Sequence, residues 1–375
     1  MAGYTNIRPE FPPGVTTLPA RYYTDPAWFQ QELDAIHLDM WLCAGRTDQI
    51  EAPGSYFVRR VGNASAIIVR DERGEIGAFH NVCRHRGTML CKQDSGTFPG
   101  RIQCSYHAWT YGLDGGLRNA PHMEKVQDFR EADYPLKRVA VAVWDGHIFI
   151  NFSEQPIPFE QHLAGLPAKF RPWRMEELKL VERKLYHLKA NWKLVIQNYS
   201  ECLHCPIVHP QLHKQSHYMS GDNEPPQPTY LGGRMDLREG FKTLTLDGTE
   251  NRSCLPGLSE EDRRHVYYYA LLPNLLLNLH PDYMLTFTLW PLAVDRTDIL
   301  CEWFFHPDEI AKPDFDPKGA LDFWDLTNKQ DWELSDLAQE GISSRGYQPG
   351  PYSNREELLY GLDRWVLDRV AKRTT

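Results

Sequence analysis

The sequence lacks an excess of basic charge. Its 41 Lys and Arg are outnumbered by 50 Asp and Glu, for a formal net charge of −9. A nucleic-acid binder needs a basic surface, so that class is excluded. No apolar run approaches the length that spans a bilayer, so no membrane role is expected. The opening stretch, MAGYTNIRPEFPPG, has no charged segment followed by an apolar one. It does not read as a signal peptide, and a cytoplasmic location is expected. Internal repeats and low-complexity segments are also missing, which sets aside solenoids and disordered linkers. No G-x-G-x-x-G fingerprint is present; residues 112–116 read GLDGG. The chain is therefore not expected to bind a dinucleotide itself.

Cysteine is sparse too. Eight are spread over 375 residues, whereas a disulfide-stapled secreted domain packs them densely. Most are expected to be buried fillers, and those beside histidines call for another reading. With 42% hydrophobic and 24% charged residues, the composition is that of a globular protein. Its length suits one large domain or two.

Residues 1–20 are Pro-rich and read as a surface arm, and 26–40 as a short helix. From 41 to 155, short apolar stretches such as SYFVRRV, SAIIVRD and HIFINFS alternate with Gly, Pro and Asp. That punctuation predicts a small antiparallel β domain. SEQPIPFEQ follows as a linker. Beyond it, 178–190 reads as a strand, 191–205 as a helix and 211–262 as long excursions. Strand-like runs follow at HVYYYALLPNLLLNL, YMLTFTLWPLAV and DILCEWFFHP, with helices over 317–341 and 355–371. The expected fold class is α+β, with an all-β domain ahead of a mixed one.

Two constellations carry chemistry. The first is Cys83-x-His85, then Cys104-x2-His107. Thiolates and imidazoles are ligands for zinc and for iron–sulfur clusters. One reading is a closed tetrahedral zinc site, although C-x-H is an unusual opening for zinc. The other is a two-iron cluster with Cys83 and Cys104 on one iron and His85 and His107 on the second.

The second lies in NWKLVIQNYSECLHCPIVHP, residues 191–210. Here Trp192, Val195, Ile196, Tyr199 and Leu203 make one apolar stripe, Leu194, Gln197, Asn198, Glu201 and His204 a second, mostly polar face, and His209 lies beyond. On an unbroken helix, His204 and His209 would be rotated apart by roughly 140°. Pro206 should end or kink the helix and let His209 swing back. Two imidazoles and one carboxylate make a facial triad for non-haem iron(II). A carboxylate occurs on the stripe Ala320, Trp324, Thr327, Asp331, Leu334 and Ala338 of the third helix, as Asp331. Asp325, Glu333 and Asp336 fall off that stripe and are expected in solvent. A salt-bridged or partly exposed Asp331 is the alternative.

CRHRG followed by CSYHAWTYGLDGGL resembles the Rieske signature of the ring-hydroxylating and related Rieske non-haem iron oxygenases. Respiratory Rieske proteins carry an extra Cys on each ligand loop. Here residues 87 and 88 are Gly and Thr, and 105 and 106 are Ser and Tyr. The resemblance implies a Rieske [2Fe-2S] domain over 41–155, after an arm and helix at 1–40. A catalytic domain with a helix-grip sheet and a mononuclear Fe(II) would occupy 156–375. Cys83, His85, Cys104 and His107 would hold the cluster, His204, His209 and Asp331 the iron, and Glu201 would bridge the two sites. Family members usually have Asp at that bridge, and often an aromatic residue where this chain has Leu203. Cys91 matches no ligand position and is read as packing.

The resemblance further implies a terminal oxygenase acting on a small-molecule substrate and O2. Electrons would come from a separate NAD(P)H-dependent reductase or ferredoxin, and the assembly would be a homotrimer. ECLHCPIVHP, LHPDYMLTFTLWPLAVDRTDI and SSRGYQPGPYS are similar to the subgroup acting on carnitine, glycine betaine or stachydrine. Tyr267, Tyr268, Tyr269, Tyr283, Phe287 and Trp290 are candidates for a cage around the cation. An aromatic-ring hydroxylase is the alternative, and a zinc-stabilised, non-enzymatic protein a more distant one.

Overall fold

The computed structural model describes residues 11–12, 14–246, 248 and 252–374. The chain divides into two compact units. One is His37–Phe159; the other joins the stretch ending at Ile36 to the chain from Glu160 onward. The segment before Ile36 thus belongs with the C-terminal part. Among the described residues no helix is long and apolar enough to cross a membrane.

The first unit is all β. Its strands are β1 (Leu42–Arg46), β2 (Ser55–Val61), β3 (Ala64–Arg70), β4 (Ile76–His80), β5 (Ser95–Thr97), β6 (Arg101–Gln103), β7 (Thr110–Gly112), β8 (Leu117–Asn119), β9 (Ala140–Trp144) and β10 (His147–Asn151). They form three small sheets, ordered β1-β10-β9, β4-β3-β2-β5 and β6-β7-β8. Alternating Val, Ile, Tyr and Phe place Val58, Ile67, Val69, Phe79 and Tyr111 in one core, and Cys83 and Cys104 are part of it. The two cysteines are thereby fixed from below by packed apolar side chains.

The second unit is built on a seven-stranded antiparallel sheet. Its strands are β11 (Lys179–Leu188), β12 (Asp222–Asn223), β13 (Tyr230–Asp236), β14 (His265–Leu271), β15 (Leu275–Leu279), β16 (Tyr283–Ala293) and β17 (Arg296–Phe305). The order is β11-β17-β16-β15-β14-β13-β12. β13 lies inside the 211–262 stretch expected to be excursions. Its LGG interior has little strand propensity, and pairing with β14 over seven residues, Tyr230↔Leu271 to Asp236↔His265, supplies the order instead.

The helices that matter are α1 (Pro26–Glu32), α2 (Trp192–Tyr199), α3 (Cys205–Val208), α4 (Pro210–Gln215), α5 (Lys318–Ser343) and α6 (Glu357–Thr374). The helix expected over 191–205 ends at Tyr199. Ser200 turns its hydroxyl back onto the Ile196 carbonyl at 2.6 Å and caps the helix. Leu203, placed on the apolar stripe, is consequently 36% exposed. On α5 the buried face includes Ala320, Trp324, Thr327, Trp332, Ser335 and Gln339. It follows the expected stripe to Thr327, then passes one residue beyond Leu334 and Ala338. The 3.6-residue repeat allows either track, and packing selects the second.

α2 is buried all round from Trp192 to Gln197, so its polar groups need partners. Asn191 caps its start, accepting from the Lys193 N–H at 3.0 Å, and its own N–H donates to Gln339 of α5 at 3.0 Å. Gln197 donates to Asp363 of α6 at 2.8 Å. Glu32 of α1 is fully buried and receives Lys193 Nζ at 2.6 Å, Trp28 Nε1 at 2.7 Å and Trp192 Nε1 at 2.9 Å. Removing one member of such a pair leaves a buried charge without compensation. Glu32→Ala should therefore destabilise this unit by about 3–5 kcal/mol, read as a lower urea midpoint. Pairing Glu32→Met with Lys193→Met should recover most of the loss.

Candidate functional site

In the first unit, the four predicted donors sit on two loops with the same backbone design. Cys83 N–H donates to the Thr88 carbonyl at 2.8 Å and its carbonyl accepts from Gly87 at 3.1 Å. Cys104 N–H donates to the Trp109 carbonyl at 2.9 Å, and its carbonyl accepts from Ala108 at 3.1 Å. The offsets match residue for residue. Gly87 and Ala108 both take positive φ, 73° and 56°, a conformation cheap for glycine and costly for alanine.

Both cysteines are 3% exposed, whereas His85 is exposed and His107 half-buried. Thiols lie inside and imidazoles outside. The two rings are 4.8 Å apart, and His85 stacks on Trp109 at 4.9 Å and 6°. Tyr111 Oη is 3.3 Å from Cys83 Sγ and accepts from the Arg84 N–H at 3.0 Å. A zinc site would bring four donors to one point. Two tiers, sulfur below and nitrogen above, fit a cluster with thiolates on one iron and imidazoles on the other.

In the second unit, the loop after α2 places three polar side chains together. His204 caps α3, which carries Pro206 in its first turn, and His209 stands at the junction with α4, which opens on Pro210. Proline suits a first helical turn because its missing N–H would be unpaired there anyway. Pro206 therefore starts a helix rather than kinking one, and the chain turns between the histidines. Asp331, from α5, meets both: its Oδ1 is 2.8 Å from His209 Nε2 and 3.2 Å from His204 Nε2.

The remaining ring nitrogens are also held. His204 Nδ1 is 2.6 Å from Glu201 Oε1, and His209 Nδ1 is 2.8 Å from Gln330 Oε1. The second oxygen of Glu201 accepts from the Leu203 N–H. Gln330 was not anticipated; its position beside Asp331 in sequence is the only cue. The pattern presents both Nε2 atoms to one carboxylate and holds both Nδ1 atoms from behind, as metal-bound histidines require.

Cys205 Sγ lies within 4.8 Å of ligand atoms of His204 and His209. It is joined to Cys202 in a disulfide, so it offers no thiolate, and Asp331 is the nearer and charged donor. The expectation that such cysteines are separate fillers or ligands fails for this pair. Cys91, in contrast, is 3% exposed within the first unit's core.

Above the three side chains lies a cavity of about 130 Å³, room for a small molecule. Tyr268, Asn278 and Phe287 of the sheet, Trp324 and Trp332 of α5, Leu212, Tyr218 and Arg355 are among its lining residues. Of the six aromatics proposed from sequence, only Tyr268 and Phe287 reach it. Side chains alternate across a strand, so Tyr267 and Tyr269 face the opposite side, against Phe170. Tyr283 is core, donating to the Leu244 carbonyl at 2.8 Å. Trp290 lies outside the lining. Trp324 and Trp332 were missed because helical aromatics read as core.

Residues 40–130 match the Rieske [2Fe-2S] domain, and residues 175–372 match the ring hydroxylating alpha subunit (catalytic domain). The chain is 33% identical to the glycine betaine monooxygenase oxygenase subunit of Pseudomonas aeruginosa, over 94% of this chain and 89% of that one. The chain belongs to the Rieske non-haem iron oxygenases. It is also 28% identical to the carnitine monooxygenase oxygenase subunit of Escherichia coli, covering 92% and 91% of the two chains. The fold matches a crystal structure of the quaternary ammonium Rieske monooxygenase CntA in complex with L-carnitine. That match has a TM-score of 0.78 at 24% identity, and covers 95% of this chain and 96% of that one.

This oxygenase is therefore a Rieske terminal oxygenase with a [2Fe-2S] cluster and a mononuclear iron. Two carboxylates set the electrostatics of the second site. Burial disfavours charge on His204, but hydrogen bonds to Asp331 and Glu201 outweigh it and hold its pKa up at about 10. Burial pushes the Asp331 carboxyl up, yet the two histidines bring it below its ordinary value. Without metal the site keeps a proton on His204. Stability from that proton is fully present below the unfolded value of about 6.5 and is lost as pH rises through about 10.

A metal bound at His204 Nε2 would displace that proton. Adding Fe(II) to protein that retains its cluster but lacks the mononuclear metal should release about one proton per site at pH 8, with weaker affinity at lower pH. A pH indicator in dilute buffer would measure this. Asp331→Ala should lower iron from about three to about two per chain while keeping the visible spectrum of the cluster. Metal analysis with absorbance checks both.

Proposed function

We propose that this oxygenase hydroxylates or oxidatively N-demethylates a small quaternary ammonium compound. His204, His209 and Asp331 hold the mononuclear iron in this reading, and Cys83, His85, Cys104 and His107 hold the cluster. The observation that carries it is the convergence of both Nε2 atoms on Asp331 Oδ1, at 2.8 and 3.2 Å, beneath a small aromatic-walled cavity. When bound, the iron supplies O2 activation and the cluster supplies electrons. The aromatic faces of Tyr268, Phe287, Trp324 and Trp332 suit a soft organic cation. Relatives named for glycine betaine and carnitine support the same substrate class.

Glu201 has a distinct task. Its carboxylate takes the His204 Nδ1 proton at 2.6 Å and is 15% exposed. Oε1 faces His204 and Oε2 accepts from the Leu203 N–H, and the lone pairs left on this partly exposed carboxylate can accept a second imidazole N–H from outside. In this reading His107 of a neighbouring copy supplies that N–H, in a head-to-tail homotrimer with a closed heterologous interface. Electrons reach the cluster from a separate NAD(P)H-dependent reductase or ferredoxin, in the cytoplasm.

Glu201→Gln should keep cluster and iron in full and reduce turnover by about 10–100-fold or more. Single-turnover oxidation of a pre-reduced cluster, followed in a stopped-flow instrument, tests this. Transfer at the wild-type rate would contradict it. Product identification by mass after O2 uptake with a surrogate reductase, across betaines and aromatic acids, tests the substrate class. Products from aromatic acids alone would overturn it.

A further inference from the structure

Two arginines line the cavity above the His204–His209–Asp331 site. Arg234, on β13, is already paired: its Nη1 is 2.8 Å from Glu261 and its Nε is 3.8 Å from Asp222. Arg355 precedes α6 and is half-buried. Its backbone N–H donates to Ser353 Oγ at 3.3 Å, but its guanidinium has no partner among the described residues. The two carboxylates that follow it point elsewhere. Glu356 accepts from the Ser353 N–H at 2.6 Å, and Glu357 accepts from Asn223 Nδ2 at 3.0 Å. The acids of the cavity, Glu201 and Asp331, are engaged with the histidines.

A guanidinium in a cavity wall can pair with an anion that enters the cavity, and its planar fork matches a carboxylate. Among the described residues no carboxylate engages it, which leaves it available to an anionic group of the ligand. We infer that Arg355 is the specificity-determining residue that anchors a carboxylate of the substrate. The aromatic lining takes the cationic end. The cavity then selects a zwitterion, with a quaternary nitrogen and a carboxylate on one small skeleton, over a trimethylammonium alcohol. This inference rests on the quaternary ammonium reading given above.

The test is equilibrium binding by calorimetry to the holoenzyme, with cluster and iron loaded. The probes are glycine betaine, γ-butyrobetaine and choline, which share the trimethylammonium head while choline has a hydroxyl in place of the carboxylate. Wild type should bind at least one carboxylate probe about 10–100-fold more tightly than choline. Arg355→Gln should collapse that ratio towards one, and Arg355→Lys should restore part of it. Cluster absorbance and thermal midpoint report on folding of each variant. If Arg355→Gln does not fold, the wild-type ratio and Arg355→Lys still decide.

A wild-type ratio near one, or a ratio unchanged in Arg355→Gln, overturns the role of Arg355 and leaves the quaternary ammonium reading standing. Failure of all three probes to bind overturns both.

Discussion

One oxygen atom organises the second unit. Asp331 Oδ1 stands between His204 Nε2 and His209 Nε2, and each imidazole is held from behind, by Glu201 and Gln330. Three ionisable groups packed so closely are stable only with a cation or a shared proton among them. Without metal, the raised pKa of His204 supplies the proton. In the proposed reading, a metal bound here would meet two neutral nitrogens and one carboxylate. The rest of the unit serves to bring one loop and one helix to that point.

It does so with polar bonds inside an apolar frame. α2 delivers the loop that carries Glu201 and His204, and α5 delivers Gln330 and Asp331. The two helices are tied through Asn191 and Gln339, and α2 is tied further to α6 through Gln197 and Asp363. Trp324 of α5 donates to Tyr283 of the sheet at 2.7 Å. These bonds have specific lengths and directions, so they set position where apolar contact alone would allow sliding. In the first unit the same result is reached with two loops of one design, each closed on its own cysteine.

The residues proposed to hold the metals could be named from the sequence because metal chemistry constrains residue type and spacing together. Cys83, His85, Cys104 and His107 could be named from two short motifs, and His204 and His209 from a third. Asp331 required a helix prediction; the expected stripe holds only to Thr327, and Asp331 sits at the edge of the buried face, beside Trp332. What stayed hidden depends on contacts between distant residues. The early end of α2 is the local exception: the Ser200 N–H closes on the Gln197 carbonyl, three residues back, in place of the four-residue helical bond. β13 has weak propensity and exists through pairing with β14. The run YYY at 267–269 looks like one aromatic patch, but the pleat sends Tyr268 to the cavity and its neighbours to the other face. Arg355 and Gln330 carry no motif, and only the folded cavity distinguishes them from other polar residues.

The most direct test of the account is a crystal structure of the as-isolated protein with anomalous data collected on either side of the iron edge. The account predicts a two-iron feature bonded to Cys83, His85, Cys104 and His107. It also predicts a separate single-iron peak within bonding distance of His204, His209 and Asp331. A single zinc peak among the Cys and His loops, or iron bonded elsewhere than to that triad, would contradict it.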